Sequence, residues 1–178
     1  MKKKNIHLFL RKSVKNEHFS IENFYIELFQ NFKSRKYNIK FVKCPLESKG
    51  FFKRLYLIFW SYFNQGDINH ILGDINFISL FLDKEKTINT ILDLFTLKRL
   101  TGFKRFIYSL FWVKIPINKS KKIITISNKV KKEITEFKKI DNKKIKVIDV
   151  SISKKFKFFK KKKIKKVPQV LIIGTSLN

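Results

Sequence analysis

The chain has 178 residues, enough for one ordinary domain or for one domain and part of a second. A hydrophobic content of 44%, with 20 phenylalanines, supplies a core and excludes a disordered basic tail. The net charge of +28, from 41 Lys and Arg against 13 Asp and Glu, calls for an anionic partner, nucleic acid or an anionic membrane surface, unless AT-rich codons inflate Lys, Ile, Asn and Phe together.

Met1-Lys2-Lys3-Lys4 imitates the start of a signal peptide, but the apolar run at 6–10 is too short for one and contains His7. Residues 5–10 read instead as a first strand buried on both faces, followed by a polar loop over 11–18. Ser20 is placed to cap a helix whose apolar side is Phe24, Ile26, Leu28, Phe29 and Phe32. Residues 37–42 alternate as a second strand, which Pro45 helps to end. Cys44 is the single cysteine, so no internal disulfide forms, and the cytosol fits. It makes no zinc spacing with His7, His18 and His70, and no metal is expected.

After Gly50, residues 51–63 form a helix that is apolar nearly all round. Two readings stand for it: a helix sandwiched in the core, or one resting in a membrane interface, where Trp, Tyr and Phe sit beside Lys and Arg. No uncharged apolar stretch approaches the ~20 residues that span a bilayer. Residues 68–72 are a short third strand ending at Gly73-Asp74, and 75–82 a short helical segment. The fourth strand, 86–94, ends in a carboxylate, Asp93. A long helix over 102–119 follows, broken by Pro116, with Lys98, Arg99, Lys104 and Arg105 on or before its first turns. Residues 122–127 are the fifth strand, and Ser127 caps a helix with Val130, Ile134 and Phe137 facing inward. Residues 144–152 are the sixth strand.

This alternation predicts an α/β fold: a Rossmann-like parallel sheet flanked by helices, spanning 1–153. Residues 154–166 break the composition, with nine lysines in thirteen residues, and 154–168 read as a Lys-rich linker. That linker is either solvated or lipid-binding. Gln169-Val170-Leu171-Ile172-Ile173-Gly174-Thr175 looks like a strand entering a glycine turn, so the sequence reads as cut at the start of a second domain, 169–178.

Strand-end carboxylates at the carboxyl edge of such a sheet are candidate ligands of a bound molecule. Asp93 has two readings, a general base or a cap on the next turn; Asp74 has the same two. Ser127 reads as a helix cap before it reads as a ligand group.

Taken in order, these segments resemble the N-terminal acceptor domain of family 4 glycosyltransferases, which have the GT-B fold. The resemblance rests on Thr90-Ile91-Leu92-Asp93, then Lys98-Arg99-Leu100-Thr101-Gly102-Phe103-Lys104-Arg105-Phe106, then Ile124-Thr125-Ile126-Ser127-Asn128 with Lys131-Lys132-Glu133-Ile134. Lys146-Val147-Ile148 and Leu171-Ile172-Ile173-Gly174-Thr175 complete the set. Leu92 stands where the family usually has a histidine, Asp149-Val150-Ser151 replaces a Pro-Asn-Gly turn, and the first loop lacks the usual glycine pair.

The resemblance implies the N-terminal half of an enzyme that moves a sugar from a nucleotide-sugar co-substrate to a glycan or lipid-linked acceptor, in polysaccharide biosynthesis, without a cofactor or metal. It makes Asp93 the catalytic candidate and Gly174 and Thr175 the donor-phosphate turn. Asp74, Ser127, Arg99 and Lys98 become acceptor-side or structural residues. Alone, this half holds the acceptor wall and is expected to be inactive; a separate donor-domain chain is an expected partner. The expected location is cytoplasmic, with the inner face of the membrane as a peripheral docking site. Two other classes stay open: a non-catalytic acceptor or membrane-anchor subunit, and a basic nucleic-acid-binding domain. No nucleic-acid motif supports the latter, and its aromatics have core periodicity.

Overall fold

The computed structural model describes residues 3–12, 20–30, 32 and 34–149. Six strands form one sheet: β1 (Lys4–Leu10), β2 (Tyr37–Lys43), β3 (Ile68–Ile71), β4 (Thr87–Thr90), β5 (Lys122–Thr125) and β6 (Ile145–Val147). All pairs are parallel and the order is β2-β1-β3-β4-β5-β6. The fold is therefore α/β, with a Rossmann-like parallel sheet flanked by helices. From β1 the chain steps outward to β2, then returns to the other side of β1 to lay down β3. That reversal opens a crevice at the carboxyl ends of β1 and β3, where open α/β sheets bind ligands.

The pleat sends alternate β1 side chains to opposite faces. Phe9 enters the larger core with Leu57, Ile58, Ile71, Phe77, Trp112, Ile123 and Ile134. Leu8 and Leu10 enter a smaller one with Tyr25 and Leu72, under α1 (Ser20–Gln30). Strand β1 is thus apolar on both faces, as its composition predicts, although its first residues lie open.

Several elements differ from expectation. On α1 the deeply buried residues are Glu22 and Tyr25, while Leu28 is half exposed, as is Phe32 beyond the helix end. A carboxylate takes an inward position because Arg11 meets it there. The side chain of Ser20 lies outside the described residues. Helix α2 (Phe51–Phe63) is not enclosed: Leu57, Ile58 and Ser61 are buried, but Phe52 is 82% and Phe63 79% exposed. Only one side of it has a sheet to pack on.

Strand β4 keeps four residues of the expected nine: the 3₁₀ turn Lys84–Lys86, where Asp83 accepts from Glu85 N, takes Lys86, and the ladder with β5 ends at Thr90. Asp141 does the same ahead of β6, over Asn142–Lys144. The expected run 75–82 is a 3₁₀ helix over Asn76–Phe81. A short helix, α3 (Phe95–Arg99), was not foreseen.

The long helix is continuous but not uniform. It runs as α4 (Gly102–Tyr108), a π-helical segment (Ser109–Lys114) and α5 (Ile115–Asn118). Pro116 has no N–H for the carbonyl four residues back and crowds it; a widened turn ahead of the proline lets the helix continue. Helix α6 (Asn128–Phe137) starts as predicted, with the Ser127 hydroxyl accepting from Val130 N at 3.3 Å. The linker, the seventh strand and the end of the expected sixth strand lie outside the described residues. Among those described, no helix is long and apolar enough to cross a membrane.

Candidate functional site at the carboxyl edge

Asp74 follows β3 directly, one residue past Gly73, whose φ of +74° turns the chain over the sheet edge. That glycine is required twice. The left-handed backbone disfavours a side chain, and a Cβ there would meet Glu22 Oε1 at 2.5 Å. The Glu22 carboxylate lies over the turn and holds Arg11 Nε at 2.7 Å. Buried Asn76 secures the turn from beneath. With its amide nitrogen directed toward them, it donates to Gly73 O at 3.2 Å, Asn89 Oδ1 at 2.7 Å and Thr90 O at 3.3 Å. The ends of β3 and β4 are thereby fixed together.

Around Asp74, Arg11, Lys12, Glu47, Ser48, Lys49, Arg54 and Trp112 enclose a hollow of about 160 Å³. Arg54 comes from the first turn of α2. Its Nε and Nη2 donate to Ser48 O at 3.3 and 3.2 Å, and its guanidinium lies 4.8 Å from the centre of the Trp112 ring. Trp112 sits on the π-helical segment and donates its indole N–H to Asp74 O at 3.4 Å. Its ring stacks on Tyr108 at 5.1 Å.

Asp74 is an exposed residue by surface area, so the desolvation that pushes its carboxyl up, to about 6, is partial, and Trp112, Arg11 and Arg54 pull the other way. The charge on Asp93 pushes it further up. Tyr108 is raised to about 12, first by burial and then by Asp74. A carboxyl that titrates near neutrality can accept or return a proton under ordinary conditions, and the cations around it favour an anionic ligand group.

The other predicted residues fall as follows. Asp93 is exposed on the same edge, and its Oδ1 accepts from Phe95 N at 2.8 Å in the turn that leads into α3. The Lys98 ammonium pairs with Glu133 of α6 at 2.6 Å. The Arg99 guanidinium lies 5.4 Å from the Phe95 ring centre. Ser127 caps α6. Thus the structure brings Asp74 and Asp93 within electrostatic reach of each other, and gives Lys98, Arg99 and Ser127 local partners. Gly174 and Thr175 lie outside the described residues. Sequence reading missed Arg11, Glu22, Arg54, Tyr108 and Trp112. The only signal available was that Arg11 directly follows the first strand of a parallel sheet.

A larger hollow of about 560 Å³ opens at the opposite, amino edge, between Asn5, His7, Gln65, Asp67 and Lys86. Its polar groups already bond to main chain: Asp67 to Asn5 N at 2.8 Å, His7 to Asn64 O at 2.7 Å, Gln65 to Asp83 N at 2.8 Å. It lies at the edge where such sheets do not bind ligands, and the smaller hollow is the better candidate. Among the described residues, no three His, Cys, Asp or Glu side chains are grouped to hold a metal ion. No protein-family model matches the chain, and no curated protein matches it.

Proposed function

We propose that this chain is the acceptor-side half of a nucleotide-sugar glycosyltransferase, with its site at the carboxyl edge of the sheet. The observation that carries the reading is Asp74: a carboxyl raised to about 6 at the mouth of a cationic hollow, beside the crevice between β1 and β3. The ordered run of motifs that resembles the family 4 acceptor domain supplies the reaction class.

In this reading the acceptor hydroxyl attacks the anomeric carbon of the donor sugar. The bond from that carbon to the diphosphate breaks, and the nucleoside diphosphate leaves with the electron pair. The hydroxyl proton passes to a carboxylate. Asp74 suits that task, because a group titrating near working pH both takes and releases a proton. Asp93 spends one oxygen on Phe95 N and keeps the other for orienting the acceptor. Arg11 and Arg54 favour the ionised form of Asp74 and offer positive charge to an anionic acceptor group. The donor is a nucleotide sugar, the acceptor a glycan or a lipid-linked sugar, and no cofactor or metal takes part. Gly174 and Thr175 begin the donor side, which a following domain or a separate chain completes. The site of action is cytoplasmic.

The test is acceptor binding by the full chain, read by calorimetry against glycans and polyprenyl-linked sugars. Binding of one acceptor class that Asp74→Asn and Asp93→Asn each weaken supports the reading. Absence of binding to every class, or binding indifferent to both changes, overturns it.

A further inference from the structure

Helix α2 shows solvent a row of aromatic rings. Phe52, Tyr56, Phe59 and Phe63 fall at helical spacing along its outer side and are 82%, 51%, 48% and 79% exposed. The inner side is fixed to the domain by Leu57, Ile58 and Ser61, whose hydroxyl bonds to Ile58 O at 2.8 Å and Ile78 O at 3.1 Å. The helix therefore has no freedom to turn its rings inward. Phe81, on the neighbouring 3₁₀ helix, extends the row, with its ring 5.3 Å from that of Phe59. Between Phe59, Tyr62, Phe63, Leu80 and Phe81 lies an apolar hollow of about 470 Å³ with Lys119 on its rim. At 13 residues, the ridge runs for about 20 Å.

Charge decides what covers this ridge. Neither α2 nor Asn76–Phe81 contains an acidic residue, and α2 contributes exposed Lys53. A second copy of the chain carries the same net charge of +28, which opposes self-association. An extended surface that is apolar a few ångströms down and anionic on top fits better, and a bilayer with anionic headgroups is such a surface.

We propose that α2 lies in the interface of an anionic lipid bilayer, its aromatic row at the acyl boundary and Lys53 and Lys119 on the lipid phosphates. The inference stands on this surface alone and does not depend on the glycosyl-transfer reading.

The test uses the full chain and vesicles of phosphatidylcholine and phosphatidylglycerol. So basic a protein adheres electrostatically to any anionic vesicle, so the discriminating condition is salt high enough to screen surface charge. There the unaltered chain stays bound, and Phe59→Ser with Phe63→Ser lowers partitioning at least about tenfold. Phe63 is exposed and Phe59 half exposed, and circular dichroism checks that the paired variant keeps its fold. In a second measurement, the indole of Phe63→Trp is quenched by brominated acyl chains. Equal partitioning of the paired variant, an unquenched indole, or a lipid-free dimer that the paired substitution converts to monomer would each overturn the proposal. The dimer would assign the ridge to a second copy.

Discussion

Asp74 stands where two arginines pull a carboxyl toward ionisation and the surrounding protein pushes it the other way, with the push prevailing. Its value near 6 lies above the ordinary 3.8, so the folded state binds that proton more tightly than the unfolded chain does. The contribution to stability is full below the ordinary value and is lost as pH rises through about 6. Asp74→Asn, which never ionises, is therefore expected to melt higher than the parent above about pH 6, with the difference closing below about pH 4. Thermal unfolding across that range checks it, and a pH-independent difference would contradict it. His70 acts in the opposite direction. Its Nε2 lies 2.8 Å from Thr90 Oγ1, deep under α1, and burial lowers it from 6.5 to about 4. The unfolded chain takes up a proton that the folded state refuses. Stability is then complete above 6.5 and falls as pH drops toward 4, by up to about 3 kcal/mol. A plot of stability against pH for His70→Gln should lack this slope. Neither shift was legible in the sequence, where Asp74 was a strand-end carboxylate of unknown surroundings and His70 one of three scattered histidines.

Among the elements, the turn after β3 is the one that builds the site. Gly73 and Gly50 both have positive φ, 74° and 77°, but a Cβ at Gly50 meets nothing within 4 Å, whereas one at Gly73 strikes the Glu22 carboxylate. Gly50→Ala should cost only backbone strain, on the order of 1–3 kcal/mol where φ 77° and ψ 162° fall in a region essentially confined to glycine, and Gly73→Ala should cost more, because it also displaces Glu22 from Arg11. Denaturant unfolding of the two variants measures the difference; equal losses would mean that Glu22 gives way freely. What the sequence disclosed about elements was local. The strands β1, β2 and β5 and the Ser127 cap depend on residues adjacent in the chain. The late starts of β4 and β6 follow from Asp83 and Asp141 winding turns that apolar runs conceal. The π-helical segment is a response of the helix to Pro116, and the composition of residues 109–114 carries no sign of it. For helix α2 two readings stayed open for a different reason: a helix apolar all round does not say which side has a neighbour.

At the scale of the whole molecule, the sheet divides labour between its two ends and one flank. The carboxyl edge gathers Arg11 from β1, Arg54 from α2, Asp74 from β3, Asp93 after β4, and Tyr108 and Trp112 from the long helix. These residues are up to a hundred positions apart, so only the strand-end carboxylates announced themselves in the sequence. The flank carries the aromatic row of α2. The chain has two tryptophans, Trp60 and Trp112. Trp112 stacks against Tyr108 beside Asp74, and Trp60 packs edge-on against Phe9 at 5.9 Å in the larger core. Each gives one indole N–H signal, so the pair reports separately on the proposed site and on the body of the domain. The measurement to make is a titration of the ¹⁵N-labelled chain with glycan and lipid-linked sugar acceptors, following those two signals. The account predicts that an acceptor moves the Trp112 signal in a saturable way, leaves the Trp60 signal in place, and loses its effect in Asp74→Asn. A saturable shift confined to Trp60, or binding that leaves Trp112 unmoved, would contradict the assignment of the site to the carboxyl edge.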